Sequence, residues 1–288
     1  MQQDQSFMIR SMLLNDLDQA IRLSYSEGWN QTDKDWKLLL ENPLNICLVA
    51  EQNTKVAGTA TAICYSGKIA WIGMVLVDNS LRGQGVGKML LTNIIDKLKH
   101  IESIKLDATP AGLPLYQKMG FTEEYKVFRM TNTSLNNFSY KEIGKEPEQV
   151  CYKNLSEITK LDERIFGAER SYLLQTIFQN YPEKAFFLNL TNKIDGYIFG
   201  RDGVKFNYIG PVYAFSDNSA RILISKALKS LNNQPVALDI FQDKEDLIKW
   251  LESIGFEKQR HFTRMYLKSN TYSGLVQNQY LISGPEFG

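Results

Sequence analysis

"WIGMVLVDNSLRGQGVGK", Trp71 to Lys88, decides how this chain folds. A dense apolar run, of the kind that fills a buried strand, passes within a few residues into a loop with glycine at 83, 85 and 87. Glycine in such a connection costs backbone entropy, so its use implies that something comes close to that backbone. Downstream, Met89, Leu90, Ile94, Ile95, Leu98 and Ile101 keep helical spacing, and the unit reads strand, glycine loop, helix. Backbone N–H groups at the positive end of a helix form an anion site, with phosphate the usual anion. Two common nucleotide loops fail here. Gly-x-Gly-x-x-Gly needs glycine where Lys88 stands, and a P-loop needs glycine at Arg82 and Ser or Thr at Met89.

The length of 288 residues favours two domains, and 43% hydrophobic with 23% charged residues is enough for each to bury a core. A net charge of +1 offers no basic field for a polyanion, which argues against a nucleic-acid binder. Cys47, Cys64 and Cys151 lack metal-ligand spacing, and with only His100 and His261 no zinc site is expected. The start, MQQDQSFMIR, has no apolar stretch of signal length, and no run approaches membrane-spanning length, so a reduced, cytoplasmic protein away from the membrane is expected.

Working outward, Ser6 to Leu14 reads as a first strand, Asn15 to Glu27 and Thr32 to Leu40 as helices, and "ICLVAEQNTKVAGTATAICY" as a hairpin turning at Gln52-Asn53-Thr54. "SIKLDA" is a strand, "LPLYQKMGF" a helix stopped by Gly120, and Phe121 to Met130 extended chain. A polar stretch, 134–149, reads as a linker between residues 1–133 and 150–288. Beyond it, "IGMVLVDNS" is echoed by "IGPVYAFSDNS". "KLDATPAGLPLYQKMGFTEEYKVFRM" is echoed by "ALDIFQDKEDLIKWLESIGFEKQRHFTRM". Each echo carries Leu-Asp, a helix, Gly-Phe and Arg-Met in the same order, the mark of a duplicated domain.

The segment Arg82-Gly83-Gln84-Gly85-Val86-Gly87, preceded by "VLVDNS" and followed about thirty residues on by "LYQKMGF", resembles the GNAT superfamily of acyl-CoA-dependent N-acetyltransferases. "EGWNQTDKDW", "IFGAER", "GFEKQRHFTRM" and "ISGPEFG" extend the likeness to a bacterial branch with a second, GNAT-like domain. The resemblance implies an α/β (α+β) fold of two tandem GNAT-like domains. Each has a mixed, mostly antiparallel central sheet of about six to seven strands, flanked by helices and splayed where the cofactor enters.

It also implies roles. Arg82, Gly83, Gln84, Gly85, Val86, Gly87 and Lys88 would cradle the pyrophosphate of acetyl-CoA, the co-substrate. The strand backbone at Val75, Leu76 and Val77 would pair with the pantetheine arm. Tyr116 stands where the family places the acid that protonates the departing thiolate. The family's strand carboxylate is absent, because its position holds Trp71, so the general base is unassigned. Asp107 and Thr109, at the end of the neighbouring strand, and Trp29, Asn30, Asp35 and Trp71 are acceptor-side candidates. The second half has no glycine after "IGPVYAFSDNS" and Leu251 where Tyr116 has its counterpart, so it is expected to be non-catalytic. It could cover the acceptor side, form a second ligand pocket or make a homodimer, with Phe166, Gly167, Arg170 and Arg201 matching the branch's pattern there. The expected reaction is acetyl transfer to a primary amine on a small molecule; the competing class is a non-catalytic acyl-CoA sensor.

Overall fold

The structure, a computed structural model, describes residues 6–135, Phe138 and 145–288. The first half runs β1 (Met8–Ser11), α1 (Leu17–Ser26), α2 (Asp33–Glu41), β2 (Ile46–Gln52), β3 (Lys55–Tyr65), β4 (Ile69–Val77), α3 (Val86–Lys97), β5 (Ser103–Ala108), α4 (Leu113–Lys118) and β6 (Thr122–Asn132). The second runs β7 (Glu148–Gln149), α5 (Tyr152–Phe166), α6 (Ser171–Asn180), β8 (Phe186–Leu190), β9 (Lys193–Arg201), β10 (Asn207–Ala214), α7 (Asp217–Ser230), β11 (Val236–Phe241), α8 (Glu245–Ser253), β12 (Glu257–Lys268) and β13 (Gln279–Leu281). The linker expected over 134–149 lies in part outside the described residues, and its last two residues form β7.

Local chemistry accounts for the elements. The β2–β3 hairpin turns on Asn53 and Thr54, both at positive φ, with Gln52 paired to Lys55. Asp35 and Thr32 form a capping box that starts α2. Along α3, Val86, Leu90, Leu91 and Ile94 are buried against the sheet, while Met89, expected on the apolar face, is exposed. Packing on β2 and β3 has turned the buried stripe by about one residue.

All the strands join one 13-stranded sheet in the order β1-β2-β3-β4-β5-β12-β6-β11-β13-β10-β9-β8-β7. The α/β class and the mostly antiparallel pairing agree with the sequence reading, but in place of the two separate sheets it expected there is one continuous sheet, because the halves exchange strands. Each half gives its last long strand to the other. The second half's β12 pairs antiparallel with β5, and the first half's β6 pairs antiparallel with β11. β6 and β12 then pair with each other at the centre.

The echoed Leu-Asp and Arg-Met motifs pin this exchange. Asp107 accepts two hydrogen bonds from Arg264, both 2.8 Å, and Asp239 accepts two from Arg129, 2.8 and 2.6 Å. Each aspartate is therefore bound by the other half's arginine, and all four side chains are buried. Burial raises the Asp107 carboxyl, and the Arg264 guanidinium pulls against that rise.

Candidate active site

β4 and β5 run parallel and in register only from Ile69–Ser103 to Ile72–Leu106. Beyond Ile72 the register of β4 against β3 shifts, and Met74 takes a φ of 49°. The threonines of β3 hold this bulge: Thr59 Oγ1 donates to the Met74 carbonyl at 2.7 Å and Thr61 Oγ1 to that of Gly73 at 3.1 Å. The strands part as a result, opening a cavity of about 610 Å³ between them.

One wall is the glycine loop. Gly83 (φ 80°) and Gly85 (φ 83°) adopt left-handed backbone, and no atom lies within 4 Å of where a Cβ would stand on either. Gly85 is the N-cap of α3 and offers no side chain to its first amides. Those donors stay free for a ligand, and the cradle is open, which fits a pyrophosphate. The second half differs at this point. Ser216 caps α7, its Oγ accepting from the Ser219 amide at 3.1 Å, so the corresponding donor is already satisfied. There β10 and β11 also part after Ile209–Leu238, but β13 fills the gap, pairing through Leu281 with Val212 and Ile240. Leu251 is buried in that half's core.

Val75, Leu76, Val77, Arg82, Gly83, Gly85, Val86, Gly87 and Lys88 all line the cavity; Gln84 is exposed and does not. Arg82 reaches back to Glu27 at 2.5 Å on the rim. Tyr116 also lines the cavity, packed edge-on against Phe121 with ring centres 5.9 Å apart. Gly112 makes room for it, since a Cβ there would stand 2.9 Å from the tyrosine ring. Burial holds the Tyr116 phenol well above its usual value.

The acceptor-side candidates divide. Trp29, Asp107 and Thr109 line the cavity, although Asp107 is engaged by Arg264 and Thr109 accepts from the Gly112 amide at 3.2 Å. Asp35 is buried, capping α2 and paired with Arg201 Nε at 2.9 Å. Asn30 ties the halves together, accepting from the Phe206 amide at 3.0 Å and donating to its carbonyl at 2.9 Å. Trp71 is buried and donates from Nε1 to the Pro285 carbonyl at 3.1 Å.

Trp71 leads to what sequence reasoning missed. The segment after β13 crosses into the first half and packs on the Trp71 ring, with Gly288 against its face. Arg170 and Arg201 from the second half hold it. Arg170 is bound by Asp162 and donates to Ser283 Oγ at 2.9 Å and the Gly288 carbonyl at 3.1 Å. Arg201 donates to the Ser283 carbonyl and to Glu286 Oε1, the latter at 2.6 Å. Phe166 stacks on Arg170 and Gly167 ends α5, so all four residues singled out in this half serve the tail or its support. Glu286 itself, 2% exposed, lines the cavity beside Gly73, and its Oε2 has no hydrogen-bond partner. Where the family pattern sets a carboxylate on the strand, this chain has Trp71, and Trp71 seats a tail that brings a carboxylate from elsewhere. Burial raises the Glu286 carboxyl, opposed by Arg201.

A side chain at 73 would undo this seat, since a Cβ there would fall 2.7 Å from the Glu286 Cα. Gly73→Ala is expected to cost about 1–3 kcal/mol by thermal melting, because the tail has to lift.

Also lining the cavity, though none was named as a site residue, are Gln31, Arg129, Arg260 and Phe262. The Gln31 Oε1 and the Arg260 Nε are buried without partners. Desolvation, reinforced by Arg129, lowers the Arg260 guanidinium to about 10, still cationic at neutral pH. Among the described residues no cluster of His, Cys, Asp and Glu is arranged to hold a metal, and no helix is long and apolar enough to cross a membrane.

Comparison with known proteins agrees with this geometry. Residues 11–121 match the model of the acetyltransferase (GNAT) family and residues 158–281 that of an acetyltransferase (GNAT) domain. The chain is 28% identical over 242 residues to an uncharacterised N-acetyltransferase, YitH, of Bacillus subtilis, covering 83% of each. It is 25% identical over 217 residues to the holothin acyltransferase of a Pseudoalteromonas strain, covering 74% of this chain and 72% of that one. Its fold is similar to that of a candidate acetyltransferase from Pyrococcus horikoshii (TM-score 0.82, 21% identity, 99% and 97% covered). It is also similar to that of a tandem GNAT protein of clavulanic acid biosynthesis (TM-score 0.65, 10% identity, 91% and 98% covered). With an open phosphate cradle in one half, a filled one in the other and a family match in each, the chain belongs to the GNAT superfamily of acetyltransferases as a tandem-domain enzyme.

Proposed function

We propose that residues 1–133 carry the catalytic unit, which transfers acetyl from acetyl-CoA to a primary amine by direct attack with Tyr116 as general acid. Residues 150–288, lacking the pyrophosphate loop, would complete the sheet and the acceptor side, in a cytoplasmic protein. The observation that carries this reading is the parting of β4 from β5, which sets a free helix N-terminus, an unpaired strand edge and a phenol around one cavity. Bound acetyl-CoA supplies an acyl group already activated as a thioester. The amides at Arg82 to Lys88 would donate to its pyrophosphate. The backbone of Val75 to Val77 would align the pantetheine arm, one N–H aimed at the thioester oxygen. Tyr116 would give its proton to the departing sulfur. Burial penalises phenolate and thiolate alike in this cavity, which keeps donor and acceptor matched.

Release of free CoA thiol from acetyl-CoA, measured with the full chain against a panel of amines, tests the reaction. Gly85→Asp tests the cradle. It strains a left-handed position and sets a negative charge where the phosphates would lie, so the acetyl-CoA Kd should rise roughly tenfold or more. An unchanged Kd by calorimetry would refute the assignment of this loop.

A further inference from the structure

The cavity lining holds three unsatisfied groups of complementary chemistry. Glu286 Oε2 and Gln31 Oε1, both on side chains more than nine-tenths buried, are acceptors without donors. Arg260 Nε is a donor without an acceptor. Buried polar atoms are costly to leave unpaired, so a ligand that satisfies all three gains over one that satisfies fewer. The neighbouring arginines are not available in the same way. Arg129 is neutralised by Asp239, Arg264 by Asp107, and Arg201 by Asp35 and Glu286. Arg260 forms no ion pair among the described residues, and its guanidinium carbon lies 5.1 Å from the centre of the Phe262 ring.

A second observation concerns the charge around Arg260. A smaller cavity of about 220 Å³ shares Arg129 and Arg260 with the first and adds Lys205, with no acidic residue in its described lining. Arg260 therefore lines both cavities, and with Lys205 it gives the second a cationic lining, which draws in anions and repels polycations.

We infer that the acceptor is a small amine carrying its own oxyanionic group, bound with the anion on the Arg260 guanidinium and the ammonium between Glu286 and Gln31. This rests on the transferase reading above and names its substrate class. Guanidinium presents paired donors suited to carboxylate or phosphonate oxygens. In the reaction, Glu286 takes one proton from the ammonium, and the freed lone pair attacks the thioester carbon. The new C–N bond forms as the C–S bond breaks. Nitrogen loses its second proton, and sulfur gains one from Tyr116, which is reprotonated, so one proton in total passes to solvent.

The test is kcat/KM for matched amines with the full chain: β-alanine and 2-aminoethylphosphonate against propylamine, glycine against glycinamide, and spermidine. The anionic members should exceed their neutral matches by tenfold or more, with the two anions separating carboxylate from phosphonate preference. In Arg260→Gln that ratio should fall close to one, and Arg260→Lys should recover part of it. Neutral amines or spermidine doing as well in the wild-type chain would overturn the inference and leave the transferase standing. So would an unchanged ratio in Arg260→Gln. No thiol release with any amine, alongside tight acetyl-CoA binding, would overturn the transferase reading and this inference with it.

Discussion

Tyr116→Phe is expected to lower kcat by about 10²-fold or more while leaving the acetyl-CoA Kd within about twofold. The substitution removes one hydroxyl and keeps the ring, so the edge-on contact with Phe121 and the fit against Gly112 survive. The substitution leaves the glycine loop that would hold the pyrophosphate unchanged. What disappears is a proton held ready in an apolar setting, where a departing thiolate is poorly solvated. Pre-steady-state thiol release and calorimetry on one preparation read both quantities. A fall in affinity matching the fall in rate would mean that the hydroxyl serves binding alone.

Arg264→Met should destabilise the protein by about 3–5 kcal/mol, because it leaves Asp107 as a buried charge without its partner. For a chain of this size that is a melting shift of roughly 6–10 °C. Arg264 is buried, donates twice to Asp107 and also to the Tyr125 hydroxyl at 3.2 Å, and lies 4.4 Å from the centre of the Trp71 ring. Replacing Asp107 by leucine as well should recover much of the loss, since two apolar groups carry no unpaired charge. A double variant no better than the single one would show that the arginine's contacts with the rings, and not the ion pair, account for the effect.

Much of this was legible in one sequence. Gly83 and Gly85 announce a backbone conformation that other residues avoid, so loop and helix could be read from local pattern, and the resemblance of "LYQKMGF" to the GNAT segment pointed to Tyr116. Asp35 and Asn30 could not be judged that way. Their surroundings suit a binding pocket, but their partners, Arg201 and the Phe206 backbone, come from the other half of the chain. Glu286 is harder still. It stands among small residues in "SGPEFG", where nothing local marks chemistry, and it gains meaning only because Trp71 and Gly73 seat that segment from more than 200 residues away. The exchange of β6 and β12 has the same root. The echo marked a duplication, but motifs repeated in both halves cannot say which aspartate takes which arginine.

The exchanged strands also bear on how the chain is made. When the ribosome has finished β6, the edge of β5 still lacks its neighbour, because β12 emerges roughly 130 residues later. At about 5–20 residues per second this leaves some 7–26 s during which an unpaired, buried-type edge faces the cell. The half that carries the chemistry is therefore the half that must wait, and its sheet closes only once nearly the whole chain has been synthesised. A chaperone that shields strand edges would matter most in that interval.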